Sequence, residues 1–307
     1  MLRYVLKRLL ASAITIWVVI TLTFFLMHKI PGGPFDSDKK LPDQVKANLE
    51  AKFGLNKPLG EQYTIYLKNV VLHGELGPSM RYEGKTVNDV IAYSFPASAK
   101  LGVCAIVFAL ITGTYMGITA ALHQGKWQDN LCMVISTLGV TVPSFVMATF
   151  FIYFFAVKLG WFPAVGFDEP KNLVLPSLAL GGYCTAFIAR LSRSSLLEVI
   201  RQDYIKVAKA KGLSKVKIIY KHALKNSLIP IVTYMGPLIA GILTGSFVIE
   251  TLFGIPGLGR EFVQSIGNRD YTTTLGVTIF FSTFLVLCNL VVDLLYVIID
   301  PRIKLED

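Results

Sequence analysis

Few residues in this chain of 307 are spaced for catalysis or for cofactor binding. Gly84, Lys85 and Thr86 resemble the end of a phosphate-binding P-loop. That motif needs a glycine five residues before Gly84, where this chain has Ser79. Each of the four cysteines lies singly within an apolar run, which is typical of a small buried side chain rather than a metal ligand. We therefore predict no catalytic residue, no cofactor bound by this chain and no metal site.

Ionisable side chains are also rare inside the apolar runs. Asp293 is the one acid clearly within such a run, close to its end. Two interpretations stay open for it: a structural ion pair with a basic residue such as Arg190, and a proton relay. An ion-coupled carrier needs buried carboxylates or histidines to bind its coupling ion. Their scarcity argues against that class of transporter.

The composition indicates an integral membrane protein. The chain is 53% hydrophobic and 16% charged, whereas soluble domains carry about 25% charged residues. The first apolar run is too long for a signal peptide and lacks a cleavage site, so we expect it to be retained. We predict an all-α protein with six transmembrane helices, each near the ~20 residues that cross a bilayer. The predicted spans are residues 9–27, 99–122, 131–157, 173–189, 228–249 and 275–299.

Positive charge is concentrated in one polar segment. The net charge is +10, and nine of the thirty lysines and arginines lie between residues 191 and 227, beside two acids. A nucleic-acid binder would instead carry a basic face on a folded domain, so we predict no nucleic-acid partner. Lysine and arginine near span ends mark the cytoplasmic side. This segment and both termini are therefore predicted to be cytoplasmic.

The basic segment, residues 201–230, is predicted to contain two short helices. The first covers residues 203–210, and Gly212 stands where a glycine ends a helix. Ser214 is placed to begin the second, in which apolar residues recur at helical spacing. Small residues at the bend, Ala208 and Ala210, would let another protein approach closely.

The basic segment resembles the EAA loop of ABC importer membrane subunits, in its peptide-importer form. It departs from the generic loop at Lys206, which replaces the name-giving glutamate, at Val207 and at Lys225, as is typical of the peptide branch. The residues that match the peptide-importer form of the loop are Tyr204, Ile205, Ala208, Ala210, Lys211, Gly212, Leu213, Ser214, His222, Ala223, Leu224, Lys225, Asn226 and Pro230.

Further motifs extend the resemblance over essentially the whole chain. They lie at residues 30–35, 76–79, 94–96, 142–145, 159–163 and 300–302. The chain thus resembles the OppB-like permeases of oligopeptide ABC importers. That resemblance implies a type-1 importer permease fold with an extracytoplasmic helical insertion. The implied divisions are residues 1–30 for the first helix, 31–94 for the insertion, 95–296 for the permease core and 297–307 for the tail.

The resemblance also implies the partners. They are a second, OppC-like permease, two OppD/OppF-like ATPases that bind ATP and Mg, an OppA-like peptide-binding protein and the peptide itself. The chain would be a non-catalytic subunit in the bilayer of a bacterial cell membrane. Dipeptide, glutathione and nickel-chelate cargoes remain alternatives. The residues expected to couple to the ATPases are Tyr204, Lys206, Ala208, Ala210, Lys211, Gly212, Leu213, His222 and Asn226.

A glycine-rich loop after the fifth span is the candidate outer gate. It matches the family pattern at Glu250, Phe253, Gly254, Pro256, Gly257 and Gly259. Irregular backbone near membrane depth survives only beside protein or a water-filled cavity, which a transport path would provide. A plain surface turn is the alternative.

Other signals concern helices. Pro143 would break the third span, either as a hinge or as a packing kink. The pairs Gly113/Gly117 and Gly241/Gly245 predict close helix contacts. Outer helices are predicted over residues 42–53 and 60–72, and a capping box at Thr86 and Asp89 predicts a third outer helix toward Tyr93.

Overall fold

A computed structural model describes residues 2–29, 32–35 and 42–299 of the chain. Within these ranges the regular structure is helical, and an isolated bridge between Pro78 and Thr86 is the only β-type pairing. The all-α prediction is therefore confirmed. The helices are α1 (Leu2–Lys29), α2 (Asp43–Lys52), α3 (Leu59–Lys68), α4 (Val87–Leu122), α5 (Trp127–Thr141), α6 (Ser144–Phe151), α7 (Val174–Ile200), α8 (Asp203–Ala210), α9 (Lys215–Lys217), α10 (Leu224–Ser227), α11 (Ile229–Leu243), α12 (Phe247–Leu252), α13 (Leu258–Gly267) and α14 (Tyr271–Ile299).

Within the described residues, six helical stretches are long and apolar enough to cross a membrane when α5 and α6 are taken as one. The other five contain α1, α4, α7, α11 and α14, and α5 and α6 meet at a bend of 108°. The direction of the neighbouring helices explains the bent pair. Gly181, early in α7, packs on Ala105 in the middle of α4, and Gly117, late in α4, packs on Ser192 farther along α7. Because α4 and α7 run in the same direction, α5 and α6 must return the chain across the bundle.

Three predicted spans are interrupted or end elsewhere in the structure. The third is not one run over residues 131–157, because Pro143 cannot donate a backbone hydrogen bond and α5 ends just before it. The fourth continues as helix to Ile200 instead of ending at residue 189, since its polar end packs against α4 and the basic segment. The fifth ends at Leu243 and not at residue 249, close to Gly245, which has a φ of +94°.

The outer segment forms two of its three predicted helices as separate elements. Helices α2 and α3 confirm the first two, and Gly54 follows α2 in the left-handed region with φ of +67°. The capping box is also confirmed, since Thr86 and Asp89 bond each other reciprocally. The expected short third helix is wrong, however. Helix α4 runs without interruption from this cap through Pro96 into the second span.

The two glycine pairs differ in what they contact. A Cβ atom on Gly117 would lie 2.3 Å from the Ser192 Cβ, and one on Gly113 would lie 2.7 Å from the Thr185 carbonyl oxygen. These two glycines therefore permit the close contact of α4 with α7. The second pair does not act this way. A Cβ on Gly241 would meet nothing within 4 Å, and Gly245 lies beyond the end of α11.

Candidate functional site

The basic segment folds as two helical pieces joined at a glycine bend. Helix α8 covers the predicted residues, and Gly212 follows it with φ of +72°. A Cβ on Gly212 would meet nothing within 4 Å, so glycine is favoured there by backbone conformation rather than by lack of space. The Ser214 hydroxyl accepts a hydrogen bond from the Lys217 N–H at 3.4 Å and begins the second piece. The local prediction is confirmed.

The inner face of the segment is buried against the ends of two spans. Ile205 and Ala208 of α8 and Ala223 of the second piece pack with Leu196 of α7 and Ala121 of α4. A small side chain is needed at Ala208 because it packs within this chain. The sequence predicted instead that Ala208 would let another protein approach closely, but its side chain is buried. The segment and the ends of α4 and α7 share one apolar core.

A hydrogen bond joins the two pieces directly. The Asn226 amide donates to the Tyr204 hydroxyl at 2.8 Å. Both residues belong to the predicted coupling set, and the structure brings them together. Among the others, Lys206, Ala210, Lys211 and Gly212 are exposed, while Leu213 and His222 are half-buried.

The outer face of the segment combines exposed apolar side chains with lysines. Tyr204, Val207, Val216 and Tyr220 are 41%, 52%, 66% and 70% exposed. Exposed lysines lie between and beside them in the sequence, at positions 206, 209, 211, 215, 217 and 221. Apolar side chains rimmed by charge are typical of a protein-docking surface. We call this face the docking face, defined by Tyr204, Val207, Val216 and Tyr220.

A salt bridge that sequence reasoning missed lies beside this region. Buried Asp129, in the first turn of α5, receives two hydrogen bonds from the Arg193 guanidinium, each 2.7 Å long. Its carboxylate also accepts from the Gly125 N–H at 3.0 Å. The turn between α4 and α5 is thereby fixed to α7. The two residues are 64 positions apart, and no local motif connects them.

The ion pair considered for Asp293 lies outside the described side chains. Arg190 is described, and its guanidinium donates to the Thr137 hydroxyl at 3.1 Å.

The candidate gate loop is built around a buried carboxylate. Glu250 lies on the short helix α12 and is fully buried. Its Oε1 accepts from the Ser98 hydroxyl at 2.7 Å and from the Ser246 N–H at 3.2 Å, and its Oε2 accepts from the Arg260 N–H at 2.8 Å. Burial raises the pKa of Glu250, and these hydrogen bonds oppose the rise.

The glycines of the loop make room for this carboxylate. A Cβ on Gly257 would lie 2.3 Å from the Glu250 Cδ, and one on Gly245 would lie 2.6 Å from Oε1. A Cβ on Gly259 would lie 3.1 Å from Oε2. Two of the predicted glycines, Gly257 and Gly259, therefore surround a third predicted residue, Glu250.

The rest of the loop packs inward. Phe253 is buried in an apolar cluster, and its carbonyl accepts from the Gly166 N–H at 2.9 Å. Gly254 has φ of +67°, and Pro256 is half-buried. The alternative of a plain surface turn is thus disfavoured, because the loop is anchored to α4 through Ser98 and to the loop before α7.

Pro143 lies at the bend between α5 and α6. Its φ of −57° and ψ of 143° are extended, so it separates the two helices instead of kinking one continuous helix. Whether this bend moves as a hinge stays a prediction.

The outer segment is attached to the start of α14 by a third buried carboxylate, that of Asp270, which sequence reasoning also missed. Asp270 accepts from the Ser79 hydroxyl at 2.7 Å and the Thr273 hydroxyl at 2.8 Å. The Tyr271 hydroxyl donates to the Gly32 carbonyl at 3.1 Å. Two motifs of the outer segment, near Gly32 and Ser79, therefore contact one turn.

Two solved structures share the fold of this chain. A chain of the MetNI methionine ABC transporter in an inward-facing conformation matches with a TM-score of 0.57 at 18% identity, covering 69% of this chain and 97% of that one. An amino acid ABC transporter solved with histidines matches with a TM-score of 0.55 at 14% identity, covering 68% and 93%. The chain therefore shares its fold with chains of ABC transporters.

The sequence then identifies the family. Residues 113–305 match the model described as binding-protein-dependent transport system inner membrane component, and residues 1–111 match the model of the N-terminal part of the membrane component of such systems. The chain belongs to this family.

Curated relatives align over the whole length. The dipeptide transport system permease protein DppB of Bacillus subtilis is 48% identical, covering 100% of this chain and 99% of that protein. The oligopeptide transport system permease proteins OppB of Haemophilus influenzae and Escherichia coli are 47% and 44% identical, each covering 99% of this chain and 100% of the relative. The resemblance stated from the sequence motifs is confirmed.

Proposed function

We propose that this chain is the membrane subunit through which an ATP-driven importer moves peptides into the bacterial cytoplasm. The importer would contain a second homologous permease, two ATPase subunits that bind ATP and Mg, and an extracytoplasmic peptide-binding protein. The names of the full-length relatives support a peptide cargo. This chain would carry out no hydrolysis, and its two termini would lie with the basic segment in the cytoplasm.

The observation that carries the proposal is the two-sided basic segment. Its docking face presents apolar side chains among lysines, and its opposite face shares an apolar core with α4 and α7. A movement of an ATPase bound to the docking face would therefore reach both spans through packed side chains. Nucleotide would shift the balance between two arrangements of the spans, as ligands do in any two-state protein.

The other predicted residues have proposed roles in this cycle. The loop around Glu250 would help to close the outer side, because it is anchored to α4 and to the loop before α7. Pro143 would let α5 and α6 change their angle when the path opens. Both are proposals that rest on position in the fold.

Charge substitution on the docking face tests the coupling role. In the complete complex reconstituted in vesicles, Val207→Asp should abolish ATP-dependent uptake of a tripeptide while the chain still inserts and folds. Val45→Asp, on the exposed surface of outer helix α2, is the matched control and should transport normally. Normal uptake by the Val207→Asp complex, with ATPases still bound, would contradict the docking role.

Dipeptides are the second candidate cargo, because one full-length relative is a dipeptide permease. Competition of labelled tripeptide uptake by unlabelled peptides of two to six residues distinguishes the two, since only accepted lengths compete.

A further inference from the structure

Helix α7 is the most enclosed of the spans, yet one stripe along it is exposed. The exposed side chains recur at helical spacing and so lie on one face. We call this face the α7 stripe. It consists of Tyr183, Phe187, Arg190, Ser194 and Glu198.

The composition of the α7 stripe differs from that of a lipid-facing surface. The exposed side chains of α1 are largely apolar by contrast, and they include Leu10, Ile14 and Leu22. The α7 stripe instead carries the Arg190 guanidinium and the hydroxyl groups of Tyr183 and Ser194, and it ends with Glu198 beside the basic segment. Charged side chains within spans are costly in lipid and face a protein interior or a water-filled cavity.

The guanidinium of Arg190 lies far from the cytoplasmic end of α5. It bonds to Thr137, ten residues along α5 from Trp127. If Trp127 marks the membrane interface, Thr137 lies about 15 Å deeper along the helix axis. Helical side chains lean toward the helix N-terminus, which here is away from the basic segment. The cation therefore points into the membrane region and away from the nearest water.

The surroundings of Arg190 suit a peptide chain. Phe187 stacks on Tyr234 of α11 with ring centroids 4.1 Å apart. Thr137, which accepts from Arg190, and exposed Thr141 one turn farther along α5 carry hydroxyl groups that donate to carbonyls of their own helix and can still accept hydrogen bonds. A cation, stacked aromatic rings and hydroxyls together offer contacts to a carboxylate, to apolar side chains and to backbone amides.

We infer that the α7 stripe lines the peptide path and that Arg190 binds the C-terminal carboxylate of the peptide in transit. The inference deepens the proposed function and rests on it. A guanidinium can pair with a carboxylate through two parallel hydrogen bonds, and every linear peptide with a free C-terminus carries that group. A contact with the C-terminal carboxylate does not depend on the amino-acid sequence of the peptide.

Uptake of two peptides tests the role of Arg190. Vesicles containing the complete complex are given trialanine or its C-terminal amide, and each variant is compared with the parent for the same peptide, which cancels the preference of the binding protein. Arg190→Gln should lower trialanine uptake about ten-fold, the loss expected for a hydrogen bond between charged groups, and leave the amide unchanged. Arg190→Lys should restore most trialanine uptake. Equal loss for both peptides would overturn the carboxylate contact.

Thiol labelling tests the path without requiring transport. Tyr183→Cys and Ser194→Cys in the assembled complex should react with a membrane-impermeant maleimide, measured above the background of the parent chain. Leu10→Cys, on the lipid-facing side of α1, should not react. If the stripe cysteines react in the isolated chain but not in the complex, the stripe packs on the second permease and the inference is wrong. Absence of any uptake by the parent complex would instead overturn the proposed function, while the labelling result still decides the path.

Discussion

At the scale of single residues, Glu250 holds together a loop with little regular structure. Its carboxylate accepts hydrogen bonds from Ser98 and from the N–H groups of Ser246 and Arg260. Each buried donor left without an acceptor costs about 1–3 kcal/mol. Glu250→Ala should therefore lower the thermal-unfolding midpoint in detergent strongly, and Glu250→Gln less, since the amide keeps one acceptor oxygen. The exposed Glu75→Ala variant is the control, and equal midpoints for all three would show that the carboxylate does not hold the loop.

The Asp129–Arg193 pair gives a second prediction at this scale. The pair is bidentate and Asp129 is buried, so a double-mutant cycle with alanine should give a coupling of about 2 kcal/mol in reversible unfolding. The exposed Asp203–Lys206 pair should give less than about 0.5 kcal/mol. Similar coupling free energies for the two pairs would mean that burial does not strengthen the Asp129–Arg193 interaction.

These residues also show what the sequence could predict. Glu250 and Ala208 were both found by their motifs, but their burial was not, because it depends on partners far away in the chain. Ser98 is 152 positions from Glu250, and Asp129 is 64 positions from Arg193. Gly212 was predicted correctly, since a glycine after a short helix is a local signal.

At the scale of elements, the glycines of α4 carry a prediction. Adding a methyl group at Gly117 would place it 2.3 Å from the Ser192 Cβ, so Gly117→Ala should separate α4 from α7 and destabilise the chain by about 2 kcal/mol or more. Gly241→Ala, which meets open space in α11, should be neutral or slightly stabilising. The unfolding midpoints of the two variants measure the difference. A tolerated Gly117→Ala would show that these helices can move apart freely.

Elements were predicted well where local signals decide and poorly where packing decides. The capping box at Thr86 gave the start of α4, but no local signal showed that the helix would continue through Pro96. The last turns of α7 were not predicted, because the residues after 189 are largely polar. These turns stay helical because they pack on α4 and α8. The two glycine pairs look alike in sequence, and only the structure separates them.

At the scale of the whole molecule, the parallel directions of α4 and α7 determine the path of the chain. They require the bent pair α5–α6 to cross back, so the described residues hold six candidate crossings. The turn before α14 then lies on the same side as the outer segment, where Ser79 and Gly32 contact it. The basic segment follows the C-terminal end of α7, on the side opposite to the outer segment.

This arrangement predicts a sidedness that labelling can measure. Asn56→Cys, exposed between α2 and α3, should react with a membrane-impermeant maleimide in intact cells. Lys211→Cys, equally exposed in the basic segment, should react only after the membrane is made permeable, because positively charged loops stay in the cytoplasm. The parent chain, with its four native cysteines, provides the background. Labelling of Lys211→Cys in intact cells would place the docking face outside, where no ATPase could reach it, and would contradict both the topology and the coupling role.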